Sequence, residues 1–223
     1  MRVRRLDGGA FPGRRISASL VLVRHGETEG QSSIRYHGRT DVALSELGRA
    51  QMRAVRAAIE RLWGSLEFER VFSSPLARAT EGARLIAGDW KDVSIVEEFA
   101  EVHFGRFEGL TAEEIRERYP EDFAEWNVDR LAATYAYPGG ESRAAFAERV
   151  SRGIDQMFEI WRLSERSPSR ALLVAHRGVI RTIVQRLTGE SPAVELGSIQ
   201  VIEHQDGKWT AATLDQTAHL SNL

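Results

Sequence analysis

The 223-residue chain contains no cysteine. Disulfides, thiolate metal sites and cysteine nucleophiles are therefore excluded. No apolar run approaches the length of a membrane helix. The amino terminus carries Arg2, Arg4 and Arg5 but no apolar stretch of the signal-peptide kind, so a cytoplasmic protein without membrane attachment is expected. A strong charge of one sign is also missing. The formal net charge is −2, which argues against a general nucleic-acid binder. The histidines stand at positions 25, 37, 103, 176, 204 and 219, with no i,i+4 pair and no metalloprotease pattern. There is no Walker-type glycine loop, no dinucleotide fingerprint and no internal repeat. The expectation is chemistry that needs neither metal nor nucleotide cofactor.

What is present suits one globular domain. Apolar residues make up 42% of the chain, enough for an ordinary core. Residues 1–17, with their arginines, glycines and Pro12, read as a flexible arm, and residues 18–223 as a single domain. Residues 18–24 read as a strand and 26–43 as a polar loop. A helix follows, started by Ser45, with Leu47, Ala54, Val55, Ala58, Ile59 and Leu62 on its apolar face and Trp63-Gly64 at its end. Arg70–Ser73 is a short strand. Ser74 is placed to cap the next helix, with Pro75 in its first position and Leu76, Ala79, Ala83, Ile86 and Ala87 as its buried face. Val93–Val96 reads as a strand. Residues 105–140 read as an insertion, with a short helix near Ala112–Tyr119 and an aromatic-rich stretch after Pro120. A long helix from Ser142 to Leu163, a break at Pro168, a buried strand at Ala171–Ala175 and a helix at Val179–Leu187 come next. Ser198–His204 and Lys208–Leu214 alternate in polarity around Asp206-Gly207, a hairpin signal. Strands alternating with helices predict an α/β fold, a three-layer α/β/α sandwich with a largely parallel sheet that the hairpin makes mixed.

The chemistry concentrates where buried runs end. Leu20–Val23 runs straight into Arg24, His25 and Gly26. The carboxyl end of a strand is where open α/β sheets place ligands. An imidazole there suits nucleophilic attack on phosphorus, and a guanidinium neutralises phosphoryl oxygens. Gly26 allows a close approach of the backbone. Leu172–Ala175 followed by His176 repeats the pattern. Arg78 falls in the first turn of a helix, where amides also favour anions.

Together these segments resemble the histidine phosphatase superfamily, the phosphoglycerate-mutase-like family. The resemblance is carried by Arg24-His25-Gly26-Glu27-Thr28 and by Gly38–Ser45 with Gly48 and Gln51. It continues through Ser73–Ala79, Glu101–Gly109, Pro138–Ser142 and Leu172–Gly178, in the family's order and over most of the chain. It implies the phosphoglycerate-mutase-like fold and phosphoryl chemistry through a phosphohistidine on His25. Arg24, Arg78 and His176 would bind the phosphoryl group, and Glu101 would be the general acid. Glu97, Glu98 and Glu108 remain alternatives for that acid. Gln31 stands where the family commonly has asparagine and would donate to phosphate. Thr28, Gly26 and Gly30 are further loop candidates. Arg177 replaces a small residue, and either adds a cation at the pocket wall or points away. Glu141-Ser142 matches a turn bordering the site, and a helix cap by Ser142 explains it equally well.

The leading expectation is a metal-independent phosphomonoesterase acting on a small phosphorylated metabolite. A phosphoglycerate mutase is the alternative, and an inert binding module on the same fold a third. The Arg-, Tyr- and Pro-rich insertion of cofactor-dependent mutases is not found between Gly109 and Pro138, which favours the hydrolase. Phosphorylated sugars and sugar acids, α-ribazole phosphate, nucleotides and phosphoproteins are all open as substrates, and a homodimer is open too.

Overall fold

Strand β1 (Ala18–Arg24) is buried on both faces, which is why its sequence is an unbroken apolar run rather than an alternation. In this computed structural model, which describes residues 17–88, 92–161 and 169–223, Leu20 and Leu22 enter one hydrophobic cluster and Val21 and Val23 another. The two-residue period of a strand thus sets a layer on each side.

The other strands are β2 (Arg70–Ser73), β3 (Val93–Ile95), β4 (Ser169–Ala175), β5 (Ile199–Gln205) and β6 (Lys208–Gln216). Among the described residues they form a six-stranded sheet in the order β3-β2-β4-β1-β5-β6. The pairs β1–β4, β2–β4 and β2–β3 are parallel, whereas β1–β5 and β5–β6 are antiparallel. Helices α1 (Glu46–Trp63) and α2 (Ala77–Ala87) cover one face through Met52, Val55, Ile59, Ala83 and Ile86. Helices α5 (Arg143–Trp161) and α6 (Arg177–Thr188) cover the other through Val150, Ile154, Met157, Val179 and Ile183. This is the expected three-layer α/β/α sandwich with a mixed sheet.

Several local expectations are corrected. Ser45 does cap α1, accepting from the Gly48 amide, and Gly64 ends it at φ 70°. The inward face keeps Val55, Ala58 and Ile59 and adds Gly48 and Met52, while Ala54 and Leu62 are half-buried and Leu47 is exposed. A helical period counted back from Val55 lands on 52 and 48, one residue short of Leu47. Ser74 does not cap α2. That helix starts at Ala77, with Leu76 before it and no side-chain cap, and Leu76 is only partly buried. After α3 (Ala112–Arg118), the aromatic stretch forms a further helix, α4 (Pro120–Asp129). Pro120 is its first residue, where a missing N–H costs nothing, and Glu121 and Asp122 follow in the first turn. Phe107, Ile115, Trp126 and Tyr135 give this region a small core of its own. Ser17, assigned above to the arm, is tied down: its amide donates to the His204 carbonyl at 3.0 Å. The rest of the arm, the end of the long helix and the break at Pro168 lie outside the described residues.

Candidate active site

The parallel register of β1 and β4 pairs Arg24 with Ala175, and the His25 amide donates to the Ala175 carbonyl at 3.1 Å. The two strands therefore release His25 and His176 side by side, with ring centroids 5.1 Å apart. Both rings are buried.

Each ring has a fixed partner. Nδ1 of His25 lies 2.7 Å from the Gly26 carbonyl. A carbonyl only accepts, so Nδ1 carries the proton and Nε2 keeps its lone pair. Burial, reinforced by the Arg78 and Arg24 guanidiniums, holds the His25 pKa well below the ordinary 6.5. The ring is neutral near pH 7. Nε2 of His176 lies 2.7 Å from Ser74 Oγ, so the serine expected as a helix cap is instead the support of the second histidine. Nδ1 of His176 is buried without a partner among the described residues. Burial and then Arg78 keep that ring neutral as well.

Arg78 is placed by the 38–40 loop. Its Nη2 and Nη1 donate to the Gly38 and Thr40 carbonyls at 2.7 and 2.9 Å, and its Nε to His25 Nε2 at 3.3 Å. Two of its five N–H groups are left for an anion. Arg24 donates through Nη1 to the Val194 carbonyl at 3.0 Å, while its buried Nε has no partner among the described residues. Burial and the neighbouring Arg177 push its pKa down to about 10, so it stays charged. Unsatisfied buried donors beside two cations mark a place for a negatively charged group.

Among the described residues, Glu101 is the one carboxylate lining this pocket. Its Oε2 accepts from the Gly178 amide in the first turn of α6 at 3.1 Å, and its Oε1 from the Val102 amide at 3.0 Å. The alternative acids sit elsewhere. The Glu108 carboxylate accepts from the Arg39, Thr40 and Phe104 amides at 3.0, 2.9 and 3.2 Å, pinning the loop that holds Arg78. Glu97 is exposed beside a different cleft. Glu98 is absent from the described lining of this pocket and lends its carbonyl to Arg149 at 2.6 Å.

The secondary candidates divide. Arg177 lines the pocket, donating to the Val194 carbonyl and to Glu195 at 3.2 Å each. Gln31 does not line it: the residue is exposed, at φ 61°, in the turn that places Ser32 and Ser33 on the wall. The buried Thr28 hydroxyl bonds Ser32 within that turn rather than facing the pocket. The close approach at Gly26 is to protein. A Cβ there would stand 2.5 Å from the Gly48 carbonyl, and a Cβ on Gly48 would stand 1.9 Å from that of Glu27. Gln51 completes this seam by accepting the Glu27 amide at 2.8 Å. Gly30 gives room to His37, whose Nε2–H donates to its carbonyl at 2.6 Å. Ser142 is a helix cap, accepting the Ala145 amide, and Glu141 holds Arg149 through two bonds.

Sequence reasoning missed the wall formed by residues 32–37, and it missed Val194 and Asp215. A positive-φ turn at Gln31 and an aspartate closing the last strand carry no distinctive pattern. The pocket is small, about 170 Å³, and opens to solvent at its mouth. No helix among the described residues is long and apolar enough to cross a membrane.

A sequence profile of the histidine phosphatase superfamily (branch 1) matches residues 20–217. The chain is 31% identical over 208 residues to a metal-independent phosphoserine phosphatase of Arabidopsis thaliana, covering 92% of this chain and 84% of that one. It is 34% identical over 180 residues to a 2,3-bisphosphoglycerate-dependent phosphoglycerate mutase of Gloeobacter violaceus, covering 78% of each. Its fold is similar to that of the α-ribazole phosphatase from Shigella flexneri, with a TM-score of 0.75 and 28% identity over 89% of this chain and 96% of that one. With its paired histidines and flanking arginines at the ends of β1 and β4, the chain belongs to the histidine phosphatase superfamily and is a phosphatase of that superfamily.

Proposed function

We propose that the protein is a metal-independent phosphomonoesterase working through a phosphohistidine on His25. The observation that carries this reading is the Nδ1–H bond to the Gly26 carbonyl, which leaves Nε2 as the unprotonated nitrogen of a neutral, buried imidazole, aimed at Arg78. In the first step Nε2 attacks phosphorus in line. The N–P bond forms as the ester P–O bond breaks, and protonated Glu101 gives its proton to the departing oxygen. In the second step water attacks phosphorus. The Glu101 carboxylate takes its proton, the N–P bond breaks, and His25 returns to its starting form. Arg24, Arg78 and His176 surround the phosphoryl oxygens and stabilise the charge that builds in each transition state.

Hydrolysis, rather than return of the phosphoryl group to a sugar acid, fits a pocket that opens to solvent and has no residue of α3 or α4 in its described lining. A mutase must keep its phosphohistidine from water between half-reactions. The mutase among the relatives makes that alternative worth a direct test. A panel of phosphomonoesters assayed in EDTA should release inorganic phosphate. Activity lost on chelation and restored by Mg²⁺ or Zn²⁺ would overturn the metal-independent reading. Fast conversion of 3-phosphoglycerate to 2-phosphoglycerate with catalytic 2,3-bisphosphoglycerate, with little phosphate from any monoester, would overturn the hydrolase reading.

A further inference from the structure

We propose that the substrate carries a carboxylate as well as its phosphate, and that Arg177 is the residue that binds it. The inference rests on the phosphatase reading above. Arg24, Arg35, Arg78 and Arg177 all line the pocket, against the single carboxylate of Glu101. Arg24 and Arg78 flank His25 and serve the phosphoryl group. Arg35 is already matched, with two bonds to the Glu114 carboxylate at 2.6 and 3.1 Å and a third to the Gly109 carbonyl at 2.8 Å. Arg177 is left over. Its charged partner is Glu195, whose side chain is 61% exposed, through a single contact at 3.2 Å. A pair so exposed holds weakly and leaves the guanidinium open to a better-placed carboxylate.

Arg177 is nonetheless a fixed cation. Its Nε and the Nη1 of Arg24 donate to the same Val194 carbonyl oxygen at 3.2 and 3.0 Å, so these nitrogens lie no more than about 6 Å apart. That carbonyl is itself locked. Val194 is fully buried at φ 59°, a rare conformation for a β-branched residue. Asp215 holds it there by accepting the Val194 and Ala193 amides at 2.7 and 2.8 Å. Strained backbone maintained by its surroundings is typical of binding sites. Here it sets the distance between a phosphate-binding arginine and a second arginine. The spacing suits a short phosphorylated acid whose carboxylate lies a few bonds from the ester oxygen. A planar guanidinium is the natural partner for that carboxylate.

The test compares 3-phosphoglycerate with glycerol 3-phosphate, which differ by the carboxylate. The readout is the ratio of their kcat/KM values. Wild-type enzyme should favour 3-phosphoglycerate. Arg177→Met should lower the ratio about 10- to 100-fold, chiefly through KM, the effect of losing a charge-assisted contact. Arg177→Lys should restore part of it, and Glu195→Gln should raise it by removing the competing carboxylate. If neither compound is turned over, their inhibition constants against p-nitrophenyl phosphate provide the same ratio. A wild-type ratio near one, or a ratio unmoved by Arg177→Met, would overturn the inference while leaving the phosphatase reading intact. Failure of wild-type enzyme to hydrolyse any monoester would overturn both.

Discussion

Replacing Asp215 with alanine removes a carboxylate that lies outside the described pocket lining, yet the structure makes it a control on Arg24. Its oxygens accept the Ala193 and Val194 amides at 2.8 and 2.7 Å. Each bond to a charged acceptor contributes roughly 1.5–3 kcal/mol. Asp215 is only partly buried, so the low end applies to each. Losing both costs about 3 kcal/mol, and relaxation of the strained Val194 backbone returns about 1 kcal/mol. The expected net destabilisation is about 2 kcal/mol, read as a lower urea midpoint with an unchanged slope. The catalytic effect should exceed what that loss of fold explains. Once Val194 relaxes, its carbonyl no longer orients Arg24, and a displacement on the order of 1 Å can cost up to about 100-fold. We expect kcat/KM on p-nitrophenyl phosphate to fall about 10- to 100-fold under conditions where the variant is fully folded. Asp215→Asn, which keeps one acceptor oxygen, should lie between. A folded Asp215→Ala enzyme with wild-type kcat/KM would refute the claim that this clamp positions Arg24.

Other predictions concern the proton inventory of the site. Glu101→Gln should slow hydrolysis of alkyl phosphates about 10²–10⁴-fold and of p-nitrophenyl phosphate much less, since a phenolate with a low pKa leaves without an acid. Equal losses on both would remove Glu101 from the acid role. His25 and His176 are held well below 6.5 in the folded protein, chiefly by burial, whereas the unfolded chain titrates near 6.5. Between those values the unfolded chain binds more protons, so this contribution to stability is present above pH 6.5 and lost as pH falls below it. The fall in urea midpoint between about pH 7.5 and 5.5 should therefore be shallower in His25→Ala than in the wild type. An equally steep fall would show that His25 titrates normally in the fold.

Much of this was legible in the sequence because buried runs end abruptly in charge. Residues 18–24 and 171–175 read as interior strands, and the Arg24-His25 and His176 that follow emerge together at the carboxyl ends of two neighbouring central strands. The errors came where one residue type serves two purposes. Ser74 before a proline fits a helix cap, and only the fold shows its hydroxyl under His176. Pro120 can end a structured segment or begin a helix, and it begins α4. Gly26 could admit a ligand or a neighbouring backbone, and it admits Gly48. Gln31 shares an amide with the family's asparagine but sits in a left-handed turn facing solvent. The Asp215–Val194 clamp joins residues 21 positions apart through backbone groups, which no side-chain pattern reveals.

The central claim is covalent chemistry on His25, and trapping the intermediate tests it most directly. Glu101→Gln enzyme mixed with p-nitrophenyl phosphate should form the phosphoenzyme readily and discharge it slowly, because the glutamine cannot take a proton from the attacking water. Quenching in alkaline denaturant preserves an N–P bond, and peptide mass spectrometry then locates the phosphate. The account predicts phosphate on His25, absent from the His25→Ala enzyme. Phosphate on any other residue, or steady product release with His25 unmodified throughout, would contradict it.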